Sequence, residues 1–329
     1  MINPSLLTPV FNANFAHVRK FLDGDISELA INRPQELWTE GRNGWERFDV
    51  PELTMEKLMS IATNIASFNS TGIDSDKPFL SAALPTGERT QIVIPPAVIR
   101  DTFSLTIRKP SLKDSSIDIL EEQGVFDNAE IPNDDLKPFE KTLWELHKKK
   151  SFAEFFKMAV LNKRNIVLCG KTGSGKTHIA KAFAKEIPLY ERIITIEDVH
   201  EFILRQPNKV HLIFSREGKP HVKDSLAACL RMKPDRIFLS EMRGDESWEY
   251  VKSVGSAHPG SLATMHADST KEAFYQLTAL IKDSPTGSTL DISYIMKRLY
   301  ATIDIVVVCS NRKITEVYYD PELKRENMH

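Results

Sequence analysis

Residues 165–187 read NIVLCGKTGSGKTHIAKAFAKEI. A short apolar run, Ile166 to Cys169, stops at a glycine, and a helical pattern follows from Lys176. The first part reads as a buried strand, because it is too short and too uniformly apolar for an amphipathic helix. Between strand and helix, Gly170 to Thr177 matches G-x-x-x-x-G-K-[ST]. Such a loop gathers backbone N–H groups around phosphate oxygens, reinforced by the positive end of the following helix. Gly173 and Gly175 supply the backbone freedom; Lys176 reaches the β- and γ-phosphates, and the Thr177 hydroxyl ligates Mg²⁺. Gly170, Lys171, Thr172, Ser174 and His178 complete the candidate nucleotide-binding set. The motif recurs by chance in unrelated chains, but a strand before it and a helix after it are the context it requires.

Outward from this loop the same alternation continues. RIITIED, VHLIF, RIFLSE, SLATMHA and IDIVVVC are apolar strand candidates separated by helical patterns, and KITEVYYD closes the run as a hairpin partner. Strands alternating with helices specify an α/β domain with a largely parallel sheet. Upstream, KPFEKTLWELHKKK and SFAEFFKMAV read as helices, the second with Ser151 and Glu154 at capping-box spacing. The α/β P-loop domain therefore covers residues 137–329. Residues 1–110 form a smaller α+β domain, with short strand patterns and one good helix in TMEKLMSIATNIASF. Residues 111–136 carry eight acidic residues against the single Lys113, with weak periodicity, and read as a linker. Fully extended, it can reach roughly 80 Å at about 3.3 Å per residue.

A P-loop needs acidic groups for magnesium or for the attacking water. RIFLSE ends in Glu241, and RIITIED ends in Glu197 and Asp198. The carboxyl ends of parallel strands are where an open α/β sheet binds ligand. Glu241 is expected to orient or deprotonate the water and Glu197 to support Mg²⁺ or that water; sequence alone leaves the two roles interchangeable. No N-K-x-D guanine-reading motif occurs, which favours ATP.

Composition narrows the class. A formal charge of −2 provides no electrostatic drive toward nucleic acid, and direct sequence-specific binding is not expected. Cys169, Cys229 and Cys309 are scattered and read as reduced, buried and cytosolic. No apolar run approaches 18 residues, and the N-terminus lacks a basic start followed by an apolar block. Membrane contact is expected to be peripheral, through partners.

In chain order, GKTGSGKT, ITIEDVHEF, LRMKPDRIFLSEMRG and GSAHPGSLATMHA resemble the Walker A, Asp, Walker B and His boxes of the secretion ATPase superfamily. TGERTQIVIPP and SLTIRKPS resemble the N-terminal domain of its type IV secretion branch of hexameric traffic ATPases. The resemblance spans about residues 20 to 320. It implies a homohexameric ring with a RecA-like C-terminal domain, using ATP and Mg²⁺ to power substrate transfer or pilus assembly. The implied partners are inner-membrane and cytoplasmic components of a type IV secretion machine. It also implies that His258 lies near the γ-phosphate and that Arg89 and Arg108 reach the nucleotide from the N-terminal domain. For His266 a functional role and a simple backbone bond remain open.

Two positions depart from the family pattern. Ala257 stands where a glycine commonly precedes the histidine, and Lys233 stands where an arginine is frequent; lysine keeps the charge but not the planar fork. The alternatives are a pilus-retraction or type II secretion ATPase, or a nucleotide-gated assembly module with incidental turnover. Type II members often carry a four-cysteine metal insertion, which three scattered cysteines do not match.

Overall fold

Residues 28–108 build a six-stranded antiparallel sheet: β1 (Glu28–Ile31), β2 (Glu36–Gly41), β3 (Gly44–Asp49), β4 (Phe79–Ala83), β5 (Arg89–Val93) and β6 (Ser104–Arg108), in the order β3-β2-β1-β6-β5-β4. The structure is a computed structural model that describes residues 9–110, 115–131, 133, 135–256 and 258–328. Two helices, α1 (Pro9–Leu22) and α2 (Met55–Phe68), bury Phe15, Val18, Leu22, Leu58, Ile61 and Ile65 against Leu29, Ile92, Leu105 and Ile107. Thr54 caps α2, its hydroxyl accepting from Lys57 N at 3.3 Å. The sequence pattern announces α2 alone. In α1 the apolar spacing is carried by few residues, and asparagines, which are weak helix formers, interrupt it.

The second sheet holds β7 (Ile166–Cys169), β8 (Ile193–Glu197), β9 (Lys209–Ile213), β10 (Arg236–Leu239), β11 (Leu262–Met265), β12 (Ile305–Ser310) and β13 (Lys313–Tyr319), in the order β13-β12-β7-β11-β10-β8-β9. Every neighbouring pair is parallel except the β12–β13 hairpin. The chain forms nine further helices among the described residues: α3 (Ile117–Glu122), α4 (Pro138–Lys148), α5 (Phe152–Leu161), α6 (Lys176–Ala184), α7 (Val222–Cys229), α8 (Glu246–Ser256), α9 (Thr270–Lys282), α10 (Ile292–Thr302) and α11 (Pro321–Glu326). Helices α4, α5 and α6 cover one face of this sheet, and α7 to α10 cover the other. Burial on both faces is why β7, β8, β10 and β11 are buried at every position. This is the α/β architecture expected from the strand–helix alternation, and it agrees with the RecA-like domain that the family resemblance implies. The three cysteines are free and buried. No helix among the described residues is long and apolar enough to cross a membrane.

Two local expectations change. Residues 115–131 have no buried side chain, yet they include α3, whose start is capped by Ser116 Oγ accepting from Ile119 N at 3.3 Å. The Ser151–Glu154 capping box does not form: Ser151 has ψ 59°, outside the extended range an N-cap uses, and its side chain makes no cap bond. A carboxylate bond of that kind starts α4 instead, where Glu140 Oε2 accepts from Lys137 N at 2.9 Å.

The two sheets meet along edge strand β9. Ile213 N donates to Ala97 O at 2.9 Å, and Val98 forms an antiparallel bridge with Leu212, so the N-terminal domain covers the edge. Beside this contact lies Arg192, wholly buried. Its guanidinium donates to Met232 O (2.9 Å) and Asn208 Oδ1 within its own domain. Toward the N-terminal domain it donates to Asn32 Oδ1 (2.8 Å) and Thr106 Oγ1 (3.4 Å). Burial pushes its pKa down to about 10. Arg192→Met keeps the length but takes the Arg192 donor from Asn32 Oδ1, while Asn208 Oδ1 keeps the bond from Asn32 Nδ2 at 3.0 Å; a buried polar atom left unmet costs about 1–3 kcal/mol. The expected result is a Tm lower by roughly 5–10 °C, at about 2–4 °C per kcal/mol, with faster proteolysis between the domains. An unchanged Tm and cleavage pattern would show that Arg192 does not hold the domains together.

Candidate functional site

The loop from Gly170 to Thr177 joins β7 to α6. Gly170 has φ +140°, and a Cβ there would come within 2.2 Å of Cys309 O on β12, so only glycine fits. Gly175, the N-cap of α6, has φ +98°. The loop is clamped from the far side by Arg312, whose N donates to Ser174 O at 2.9 Å. Lys176 begins α6, and its Nζ donates to Gly170 O (2.6 Å) and Lys171 O (3.1 Å). Burial lowers the Lys176 pKa, and the nearby Glu241 carboxylate opposes that shift. Ser174 Oγ is buried among the described residues without a hydrogen-bond partner. Thr177 lies in the first turn of α6, His178 is exposed beside it, and Lys171 Nζ is 3.9 Å from Asp268. A glycine-shaped cradle, a lysine at a helix N-terminus and an orphaned hydroxyl fit a polyphosphate.

Strand order decides what faces this loop. β11 lies between β7 and β10, so the residue that leaves β11 at its C-terminal end stands between the P-loop and Glu241. That residue is His266, with Nε2 2.5 Å from Glu241 Oε1. The other oxygen of Glu241 pairs with Arg243 Nη2 and lies 4.0 Å from Arg216 Nη2. Arg216 Nε donates to Asp198 Oδ2 at 2.9 Å, and Ser240 Oγ donates to Asp198 Oδ1 at 3.3 Å. Burial works against it, but Arg216 holds the Asp198 carboxyl below the usual range. Glu241, Asp198 and the Thr177 hydroxyl are the groups here that fit a magnesium ion or an activated water.

Glu197, expected at the magnesium, is directed elsewhere. It is fully buried; Oε2 accepts from Glu201 N (2.7 Å) and Phe202 N (2.8 Å), while Oε1 meets Thr195 Oγ1 and His211 Nδ1 (3.2 Å). Against burial, the bonds from His211, Thr195, Phe202 and Glu201 keep its pKa low. The carboxylate anchors the loop after β8. His258, expected at the γ-phosphate, precedes β11 and lies at the opposite edge of the sheet, one strand length or about 13 Å from the P-loop edge. Ala257 lies outside the described residues.

The N-terminal arginines share that opposite edge. Arg89 pairs with Arg108 across β5 and β6, and Arg108 pairs with Glu28 across β6 and β1, so the three form one row on the same sheet face. The row faces Lys163, Arg231, Lys233, Asp235 and His258 across a cleft of about 1070 Å³. Lys233 pairs with Glu40, next in the row. Arg89, Arg108 and His258 are thus brought together, but not to the P-loop of their own chain. Sequence reasoning missed Arg216, Arg243 and Arg312. Arg243, two residues beyond Glu241, had a local signal; Arg216 and Arg312 reach the site only through folding.

Residues 136–317 match the family model described as type II/IV secretion system protein. The VirB11 protein of Bartonella quintana is 42% identical over 322 residues, covering 92% of this chain and 90% of its own length. The PtlH protein of Bordetella pertussis is 37% identical, covering 90% of each. The crystal structure of the Brucella suis VirB11 ATPase in complex with sulphate superposes with a TM-score of 0.91 at 39% identity, covering 96% of this chain and 99% of that one.

The cleft has a pH signature. Burial raises Glu28 from 4.5 to about 7, although Lys233 and Arg108 pull the other way. Between these values the folded chain holds a proton that the unfolded chain has released, so stability falls as pH rises through that window. Glu28→Gln is expected to raise Tm at pH 8 by about 2–4 °C, and the gain should vanish near pH 4.5. A gain independent of pH in thermal melts would contradict this assignment.

Proposed function

The chain belongs to the type II/IV secretion system protein family, and from that membership we propose that it is the ATP-hydrolysing motor of a type IV secretion system, driving substrate transfer or pilus assembly. The observation that carries the reading is the meeting of Glu241 and His266 at the sheet edge that bears the P-loop. Lys176 exchanges its two loop carbonyls for phosphate oxygens and offsets the charge that grows between the β- and γ-phosphates. Glu241 accepts a proton from the attacking water, and His266, 2.5 Å away, sets its orientation. Arg243 and Arg216 hold the second Glu241 oxygen and link it to Asp198. Bound with ATP, Mg²⁺ would neutralise charge on the phosphate oxygens, and Thr177 with either Asp198 or Glu241 would hold it.

The split of candidate residues supports a ring. Arg89, Arg108 and His258 lie at the sheet edge away from their own P-loop, so they act on nucleotide held by a neighbouring copy. A heterologous contact repeated around an axis closes a ring, here a homohexamer. An arginine fork that pairs with a neighbour's phosphate makes domain position depend on nucleotide state, since a ligand shifts conformations only through differential contacts. The partners are inner-membrane and cytoplasmic components of the machine, at whose cytoplasmic side the ring sits peripherally.

Lys176→Gln is expected to lower ATP turnover at least about a hundredfold, roughly 2.7 kcal/mol of barrier. Near-normal turnover in the folded variant would remove the P-loop from the chemistry. Glu241→Gln keeps shape but loses charge, so ATP should bind and persist; loss of ATP binding in the folded variant would make Glu241 a binding group instead. Sharing of sites is tested by mixing inactive Lys176→Gln and Arg108→Ala subunits. Intact pairs arise at up to about a quarter of interfaces in such mixed rings, restoring turnover in proportion. No restoration would mean that each chain supplies its own arginine.

A further inference from the structure

Glu197, His200 and His211 converge away from the P-loop, and the ATPase reading leaves the two histidines without a role. Their ligand-capable atoms all lie within 4.8 Å of one another. Glu197 Oε1 is 3.2 Å from His211 Nδ1 and 3.5 Å from His200 Nδ1. Two donors on a tetrahedral zinc ion with bonds near 2.0 Å stand about 3.3 Å apart, so both separations match ligand edges. Two backbone N–H groups hold the carboxylate through Oε2, and Oε1 faces both imidazoles and the Thr195 hydroxyl, which also meets His211 Nδ1 at 2.7 Å and would give up these bonds to an ion. Such outer bonds are what orient a metal-ligating carboxylate.

We propose that Glu197, His200 and His211 form a binding site for a divalent transition-metal ion, zinc by donor type, distinct from the magnesium of the nucleotide. Two imidazoles and one carboxylate suit zinc, whereas magnesium prefers oxygen donors alone. His200 is exposed on the loop after β8; its rotation draws the third donor in and leaves the fourth position toward solvent.

The ligands come from β8, the following loop and edge strand β9. The ion therefore staples that loop to the sheet. Asp198 lies between two ligands and pairs with Arg216, which approaches Glu241. His211 is followed by Leu212 and Ile213, where the N-terminal domain docks. Metal binding thus stiffens the segment that joins the acidic side of the nucleotide site to the domain contact.

The test uses the full-length protein without nucleotide, titrated with Co²⁺ as a spectroscopic probe and then with Zn²⁺. Expected are one Co²⁺ per chain with the intense visible absorption of a tetrahedral site, its displacement by Zn²⁺, and a Zn²⁺-dependent rise in Tm. His200→Ala, at an exposed loop position, should weaken binding at least about tenfold and abolish the Tm rise, while its metal-free Tm stays at the wild-type value. Equal binding in wild type and His200→Ala overturns the proposal. So does loss of binding in His266→Ala instead, which would assign the metal to Glu241 and His266. Absence of stoichiometric binding would reduce the three residues to a hydrogen-bond network.

Discussion

Strand β11 hydrogen-bonds to β7 on one side and to β10 on the other, and all three run parallel. Their carboxyl ends therefore open on one edge, roughly 4.8 Å apart from strand to strand. This spacing sets the P-loop, His266 and Glu241 side by side, although 96 residues along the chain are needed to pass from Gly170 to His266. The apolar pairing of Leu262 to Met265 with Ile166 to Cys169 thus aligns the chemistry. A one-residue slip would turn the alternate side chains of β11 to the opposite face and withdraw His266 from Glu241.

The same parallel order gives the sheet two edges with different duties. The carboxyl edge holds the P-loop, His266 and Glu241. The amino edge holds Lys163, Lys233 and His258 opposite the arginine row of the N-terminal domain. Docking of that domain on β9 and on buried Arg192 fixes which edge it faces. A basic cleft with few acidic groups is a place for an anion, and the chain's own P-loop lies on the other side.

Environment separates the glutamates that composition treats alike. Glu241 keeps slight exposure and is flanked by His266, Arg243 and Arg216. Glu197 is closed in by backbone N–H groups and His211, which keep it ionised inside the fold. Glu28 has neighbouring cations but too little hydrogen bonding to offset burial, and its pKa climbs to about 7.

The sequence alone determined the parallel α/β domain, the P-loop with Lys176 and Thr177, and the acidic strand end at Glu241. These are local: strand, glycine loop and helix are contiguous, and apolar periodicity records burial directly. Helix α1 escaped because its pattern is sparse, and the Ser151 cap failed because backbone angles, not residue types, complete a capping box. Only the tertiary structure set His266 beside Glu241, placed His258 at the opposite edge and turned Glu197 inward. It also moved Arg89 and Arg108 to the amino edge. Two histidines eight residues apart flank one strand, and residue spacing does not say which end of that strand meets the phosphate. Strand direction and neighbour order decide that, and both arise from contacts distant in sequence.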